Sequence, residues 1–283
     1  TDTNGLASTV RTLGPGAGTQ TTSAPATLAG GSSAVTFSVP AREGGATQMT
    51  IQAGETQVDT VGQTLPVALA VSVTDSSNNP VPGVPISWTV IDGGGTVNPP
   101  SSTTNSSGIA TTNWTLGTVT TSTDSIQLVQ ATGVALPLTF TAYTVPDAVS
   151  GAQTTVAAAP NTITASSGSS ASTITVTVRD QYGNAIKGKT VTLTVTGTGN
   201  TVTPPVGPTD ANGVAVGTVG SATAGGKTGS ARGDTGLMTQ TAAGTGTPAP
   251  VMGEPSRGDA TPPAAARVRA SKDTVAWSAA LGH

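Results

Sequence analysis

The feature that most constrains this chain is that it repeats itself. A stretch running from Val67 to Gly117 returns 105 residues later without a gap. Asp75, Asn79, Gly83, Thr89 and Val90 meet Asp180, Asn184, Gly188, Thr194 and Val195. Gly94, Thr96, Val97, Pro99 and Pro100 meet Gly199, Thr201, Val202, Pro204 and Pro205, and Gly108 and Ala110 meet Gly213 and Ala215. At an offset of 103, Thr1, Gly5, Ala7, Leu13, Gly14 and Phe37 fall on Thr104, Gly108, Ala110, Leu116, Gly117 and Phe140. A period near one hundred residues marks a tandem array, and a unit of about that size can bury its own core.

Within the repeat, side chains alternate. Val67, Leu69, Val71 and Val73 are separated by small or polar residues, which is the period of a half-buried β-strand. The turn-forming run Asp75-Ser-Ser-Asn-Asn-Pro80 ends that strand. Val84, Ile86, Trp88 and Val90 make the next strand, stopped by Gly93-Gly94-Gly95, and Ala110, Thr112, Trp114 and Leu116 share one face of another. Charged residues make up 9% and aromatics 2%, with Thr, Ser, Ala, Val and Gly abundant. Short strands separated by Gly and Pro turns, with no helical periodicity, predict an all-β sandwich.

Four segments follow. Residues 1–46 read as the C-terminal part of a truncated repeat, its last three strands, with Pro25 placed opposite Leu128 and casting doubt on one of them. Residues 47–149 read as a complete domain with strands near 48–53, 66–74, 84–91, 95–98, 108–116, 125–132 and 136–144. Its expected inward set is Val67, Leu69, Val71, Val73, Val84, Ile86, Trp88, Val90, Trp114, Leu116, Ile126, Leu128, Leu138 and Phe140. Residues 150–250 read as a second domain with a smaller core built on Ile174, Val176, Val178, Val191, Leu193, Val195, Val214 and Val216. Its last strands look degenerate, because Gly229, Gly236, Gly244 and Gly246 stand where β-branched residues are expected. Residues 251–283 match nothing upstream and read as a low-complexity, disordered tail.

The motifs VTDSSNNPVPGVPISWTV with TVRDQYGNAIKGKTVTLTV, and TTNSSGIATTNWTLG with PTDANGVAVGTVG, resemble the bacterial immunoglobulin-like group 1 repeats of invasin- and intimin-type surface proteins. The resemblance covers about residues 1–250. It implies tandem immunoglobulin-like β-sandwich domains, with Trp88 as the buried tryptophan of the third strand. It also implies a non-enzymatic stalk, spacer or adhesion module outside a bacterial cell. Its partners would be neighbouring repeats of the same chain and a host or cell-surface receptor or polysaccharide. The alternatives are a virion or tail decoration protein and an accessory module of a secreted hydrolase.

Composition narrows the chemistry. Cysteine is absent, which excludes disulfides, thiol catalysis and thiolate metal sites. Net charge is −3, and residues 47–149 carry Glu55, Asp59, Asp75, Asp92, Asp124 and Asp147 with no Lys or Arg. No basic stripe marks a nucleic-acid surface, and no apolar run is long enough to span a membrane as a helix. No signal peptide is in view; Thr1 falls inside a repeat, so the N-terminus of the natural protein is expected upstream. The one histidine, His283, is the last residue, so nucleophilic triads lack a base, and no catalytic, cofactor or metal residue is expected.

Three features remain as candidate sites. Asp75 and Asp180, Asn79 and Asn184, and Asn105 and Asp210 recur in register. They could supply oxygens to calcium or, as the better reading, accept backbone N–H bonds in turns. Arg232-Gly233-Asp234 and Arg257-Gly258-Asp259 are two RGD tripeptides of the kind that cell-adhesion receptors read. Asn105 and Asn113 begin glycosylation-acceptor triplets, with Asn113 inside an expected strand. No lysine occurs in 47–149, so that domain cannot form a Lys–Asn crosslink.

Overall fold

The alternating stretches become strands, and no helix occurs among the described residues. The computed structural model describes residues 1–28, 30–121, 125–134, 136–233, 240–248 and 278–280. The chain divides into two compact units, one of Thr1–Thr118 with Ser125–Val145 and one of Val119–Asp124 with Pro146–His283.

The first unit opens with β1 (Gly18–Leu28) and β2 (Gly31–Ala41), which pair only with each other as an antiparallel ribbon. There follow β3 (Gln48–Ala53), β4 (Gln57–Thr60), β5 (Leu69–Thr74), β6 (Pro85–Asp92), β7 (Gly95–Asn98), β8 (Ser101–Thr103), β9 (Ile109–Leu116), β10 (Ile126–Thr132) and β11 (Leu138–Val145). They form a sheet in the order β3-β5-β9-β7 and another in the order β4-β11-β10-β6-β8. The core lies where their inner faces meet, around Leu69, Val71, Val73, Ile86, Trp88, Trp114, Val129 and Phe140. Trp88 and Phe140 hold their rings 5.8 Å apart in a tilted arrangement.

Two short strands, β4 and β8, carry no alternation signal in three or four residues and were not expected. A larger difference lies in β10. Its expected inward residues were Ile126 and Leu128; instead Gln127, Val129 and Ala131 point inward and Ile126 is 42% exposed. The phase is set by Gln127. Its carboxamide oxygen accepts the Gly117 N–H at 2.7 Å and its nitrogen donates to the Gly117 carbonyl at 3.3 Å. Ala131 then lies opposite Trp88, where a small residue leaves room for the indole. A buried amide that satisfies both its ends costs little, and hydropathy alone cannot foresee it. Val67 is also half-exposed, because β5 begins only at Leu69.

The same clip corrects the reading of residues 1–46. Gln20 bonds the N–H and carbonyl of Gly14 at 2.8 and 3.0 Å, as Gln127 does those of Gly117. Gln20 pairs with Val39 as Gln127 pairs with Ala142, so β1 and β2 are counterparts of β10 and β11. Pro25 therefore corresponds to the end of β10 and not to Leu128. In a two-stranded ribbon each strand has an open edge, which is where a proline without an N–H is tolerated. Residues 6–14 form no strand, although the repeat predicts the counterpart of β9 there. β9 is held by β5 and β7, and neither has a counterpart among the described residues of 1–46.

The second unit contains β12 (Thr155–Ala159), β13 (Ile163–Ala165), β14 (Ala171–Thr177), β15 (Val191–Val195), β16 (Asn200–Thr203), β17 (Val214–Ser221), β18 (Gly225–Gly233), β19 (Gln240–Pro248) and β20 (Ser278–Ala280). One sheet runs β12-β14-β17-β16 and the other β13-β19-β18-β15, with β20 added beside β19. Val178, Ile174, Val176, Ile186, Val191, Leu193, Ala215 and Val219 make the smaller core. Val214 and Val216 were expected inside, yet Val216 is 48% exposed and Ala215 and Val219 face inward. Leu193 occupies the space over Gly217, where an added Cβ would lie 2.6 Å from Leu193 Cδ1. The glycine-bearing strands persist, because backbone pairing along β18 and β19 does not depend on side chains. Lys227 of β18 stands in for the glutamine clip: its Nζ donates to the Thr198 carbonyl at 2.9 Å and to Thr223 Oγ1 at 3.0 Å. Ser278–Ala280 lies inside the stretch expected to be disordered; the rest of 251–283 is outside the described residues.

Candidate functional site

Chain reversals collect the polar side chains that the sequence singles out. After β5, Asp75 Oδ1 accepts the N–H groups of Ser77 and Asn79 at 2.8 and 2.9 Å. Its Oδ2 accepts the Gly44 N–H at 2.7 Å and the Asn79 carboxamide N–H at 2.9 Å. After β14, Asp180 does the same. Oδ1 takes Tyr182 and Asn184 at 2.9 and 2.8 Å, and Oδ2 takes Asp147 at 3.0 Å and the Asn184 carboxamide at 2.7 Å. Aspartate closes such a loop because its short side chain reaches the N–H groups two and four residues on.

These bonds hold the Asp75 carboxyl down at about 2, with the Asn79 carboxamide contributing most, followed by the N–H groups of Gly44, Asn79 and Ser77. A carboxylate has about four acceptor positions, and here all are committed to N–H donors. That is the chemistry of a turn and not of a cation site. Among the described residues no three or more His, Cys, Asp or Glu side chains converge.

Asn105 and Asp210 close a second, simpler turn. Asn105 Oδ1 accepts Ser107 and Ile109 N–H at 2.9 and 3.1 Å, and Asp210 Oδ1 accepts Asn212 and Val214 N–H at 2.9 and 2.8 Å. The chain then enters β9 or β17 through Gly108 or Gly213, both at positive φ. Asn113 is exposed on β9, opposite Asn98. Of the first RGD tripeptide, Arg232 and Gly233 end β18, with Arg232 exposed opposite Thr192. Asp234, the second tripeptide and His283 lie outside the described residues. The structure thus brings Asp75 together with Asn79, and Asp180 with Asn184. The backbone role of Gly44 and Asp147 is not foreseen in the sequence; its signal is that they stand 103 residues apart, in register with the front copy.

A family model described as bacterial Ig-like domain (group 1) matches residues 48–141 and again residues 153–245. No curated protein matches the chain. Among solved structures, the Escherichia coli adhesin FdeC is 19% identical over 72% of this chain and 76% of its own, with a TM-score of 0.48. Yersinia pseudotuberculosis InvD is 21% identical over 73% of this chain and 60% of its own, with a TM-score of 0.45. Invasin, a bacterial integrin-binding protein, is 21% identical over 66% of this chain and 36% of its own, with a TM-score of 0.35.

Proposed function

Because this chain belongs to the bacterial Ig-like domain (group 1) family, we propose that it is a non-enzymatic stalk or adhesion module displayed outside a bacterial cell. Its complete repeats would be residues 47–149 and 150–250. The observation that carries this reading is the use made of polar side chains at the loops. In both copies the carboxylate that a catalytic or metal site would need, Asp75 or Asp180, is turned onto the backbone of its own turn and the carboxamide of its neighbouring asparagine. The exposed surface combines Ser, Thr and Gly with scattered apolar side chains such as Val35, Phe37 and Val58, and would serve to hold distance or to offer a face. Neighbouring repeats are the first partners of such a chain, and a host receptor or a polysaccharide the second.

Protease shaving of intact cells of the source organism tests the location. Peptides from residues 47–149 should be released without lysis, and their recovery only after lysis would sink the reading. Beads coated with the chain separate its two forms. Capture by host cells that soluble chain competes away marks an adhesive surface, and no capture marks a spacer.

A further inference from the structure

The Asp–Asn pair reaches beyond its own turn. In the first unit, the Asn79 Oδ1 atom accepts the Ala17 N–H at 3.0 Å, and Asn79 Nδ2 donates to the Pro15 carbonyl at 2.8 Å. Pro15–Ala17 lies 62 to 64 residues earlier in the chain, just after Gly14. That segment is held in place from its other side. Gln20, which clips Gly14, also donates to the Gly16 carbonyl at 2.8 Å. In the second unit the bond recurs, with Asn184 Oδ1 accepting the Thr120 N–H at 3.0 Å. Thr120 is to Ala17 what Gly117 is to Gly14, 103 residues on.

We propose that Asp75–Asn79 and Asp180–Asn184 are latches that each grip the main chain of the repeat before. The aspartate sets the carboxamide: Oδ2 takes the Asn N–H, which aims Oδ1 outward at the incoming segment. The same Oδ2 takes the N–H of the chain leading into its own domain, at Gly44 or Asp147. One side-chain pair thus ties the lead-in segment and the preceding repeat's loop to the same turn. The partner it fits is a backbone N–H, with a carbonyl in the first copy, presented by another copy of the repeat. The bonds at Pro15, Ala17 and Thr120 are made to main-chain atoms, which Pro15-Gly16-Ala17 and Thr118-Val119-Thr120 both present. The Asp-x-x-x-Asn spacing is then a sequence mark of a repeat that latches onto its predecessor.

The inference rests on the reading of the chain as a tandem array, and deepens it. Hydrogen exchange on the full chain tests it. Asn79→Ala should speed exchange of the Ala17 amide, and Asn184→Ala that of Thr120, each about tenfold, with the β5 and β14 amides unchanged. Unchanged exchange at Ala17 and Thr120 would overturn the proposal. Should either variant loosen its whole domain, P15T/G16V/A17T decides, since it leaves the sandwich alone. Protection of the residue 17 amide kept after correction for intrinsic rates supports a main-chain grip, and its loss overturns it. Neither outcome touches the shaving experiment, so failure of the latch and failure of the surface reading stay distinct.

Discussion

Trp88 and Trp114 share a core but do not bring the same chemistry to it. Trp88 Nε1 donates to Ser102 Oγ at 2.9 Å, whereas Trp114 Nε1 is buried without an acceptor among the described residues. Truncating either to alanine removes a large buried side chain, at about 3–5 kcal/mol. Phenylalanine separates them. Trp114→Phe sheds an unpaired N–H along with volume and should cost under about 1 kcal/mol, while Trp88→Phe loses a made bond and should cost about 1–2 kcal/mol more. Urea melts that rank the two the other way would show that Trp114 has a partner. Asp75 gives a second test at this scale. Its carboxyl is held near 2, below the ordinary 3.8, so its contribution is complete above the unfolded value. It is lost as the pH falls from about 4 towards 2. Asp75→Asn should flatten that acid limb in thermal melts across the range, and an unchanged limb would reassign the acid sensitivity elsewhere.

Strands show how much context decides. Phe37 and Phe140 occupy equivalent places in β2 and β11, yet Phe37 is 55% exposed and Phe140 fully buried. Phe140→Ala should therefore cost about 3–5 kcal/mol and Phe37→Ala under about 0.5 kcal/mol, read by the main melting transition. Turns differ in the same way. An added Cβ at Gly108 would lie 2.5 Å from the Val73 carbonyl oxygen, whereas Gly83, also at positive φ, has open space. Gly83→Ala should cost about 1–2 kcal/mol for the backbone alone, and Gly108→Ala about 1–3 kcal/mol more. The strand boundaries of 48–53 and 95–98, the all-β class and the Asp and Asn turns were legible in the sequence, since alternation and turn chemistry are local. The phase of β10 was not, because it follows from Gln127 meeting Gly117, a contact set by tertiary structure. Nor were the bonds from Asn79 and Asn184, whose partners are backbone groups and leave no mark on residue type.

At the scale of the molecule, charge is uneven, with six acids and no base in residues 47–149. Salt should stabilise that segment by screening self-repulsion, by under about 1 kcal/mol. Calcium and magnesium chloride at matched ionic strength should shift its melting equally, and an excess shift with calcium would restore a cation site. One pairing bears on how such a chain meets a pull. β4 runs parallel to β11, Gln57 to Thr60 beside Ala142 to Val145, and β13 runs parallel to β19. These strands lie near the entry and exit of each domain, so tension drawn along the chain slides them past one another in opposite directions. Evenly spaced, slanted bonds then share the load and must break together, whereas a hairpin peeled from its end yields one bond at a time. Once β3 or β12 has yielded, a pull along the chain therefore meets a parallel pair loaded in shear in each domain.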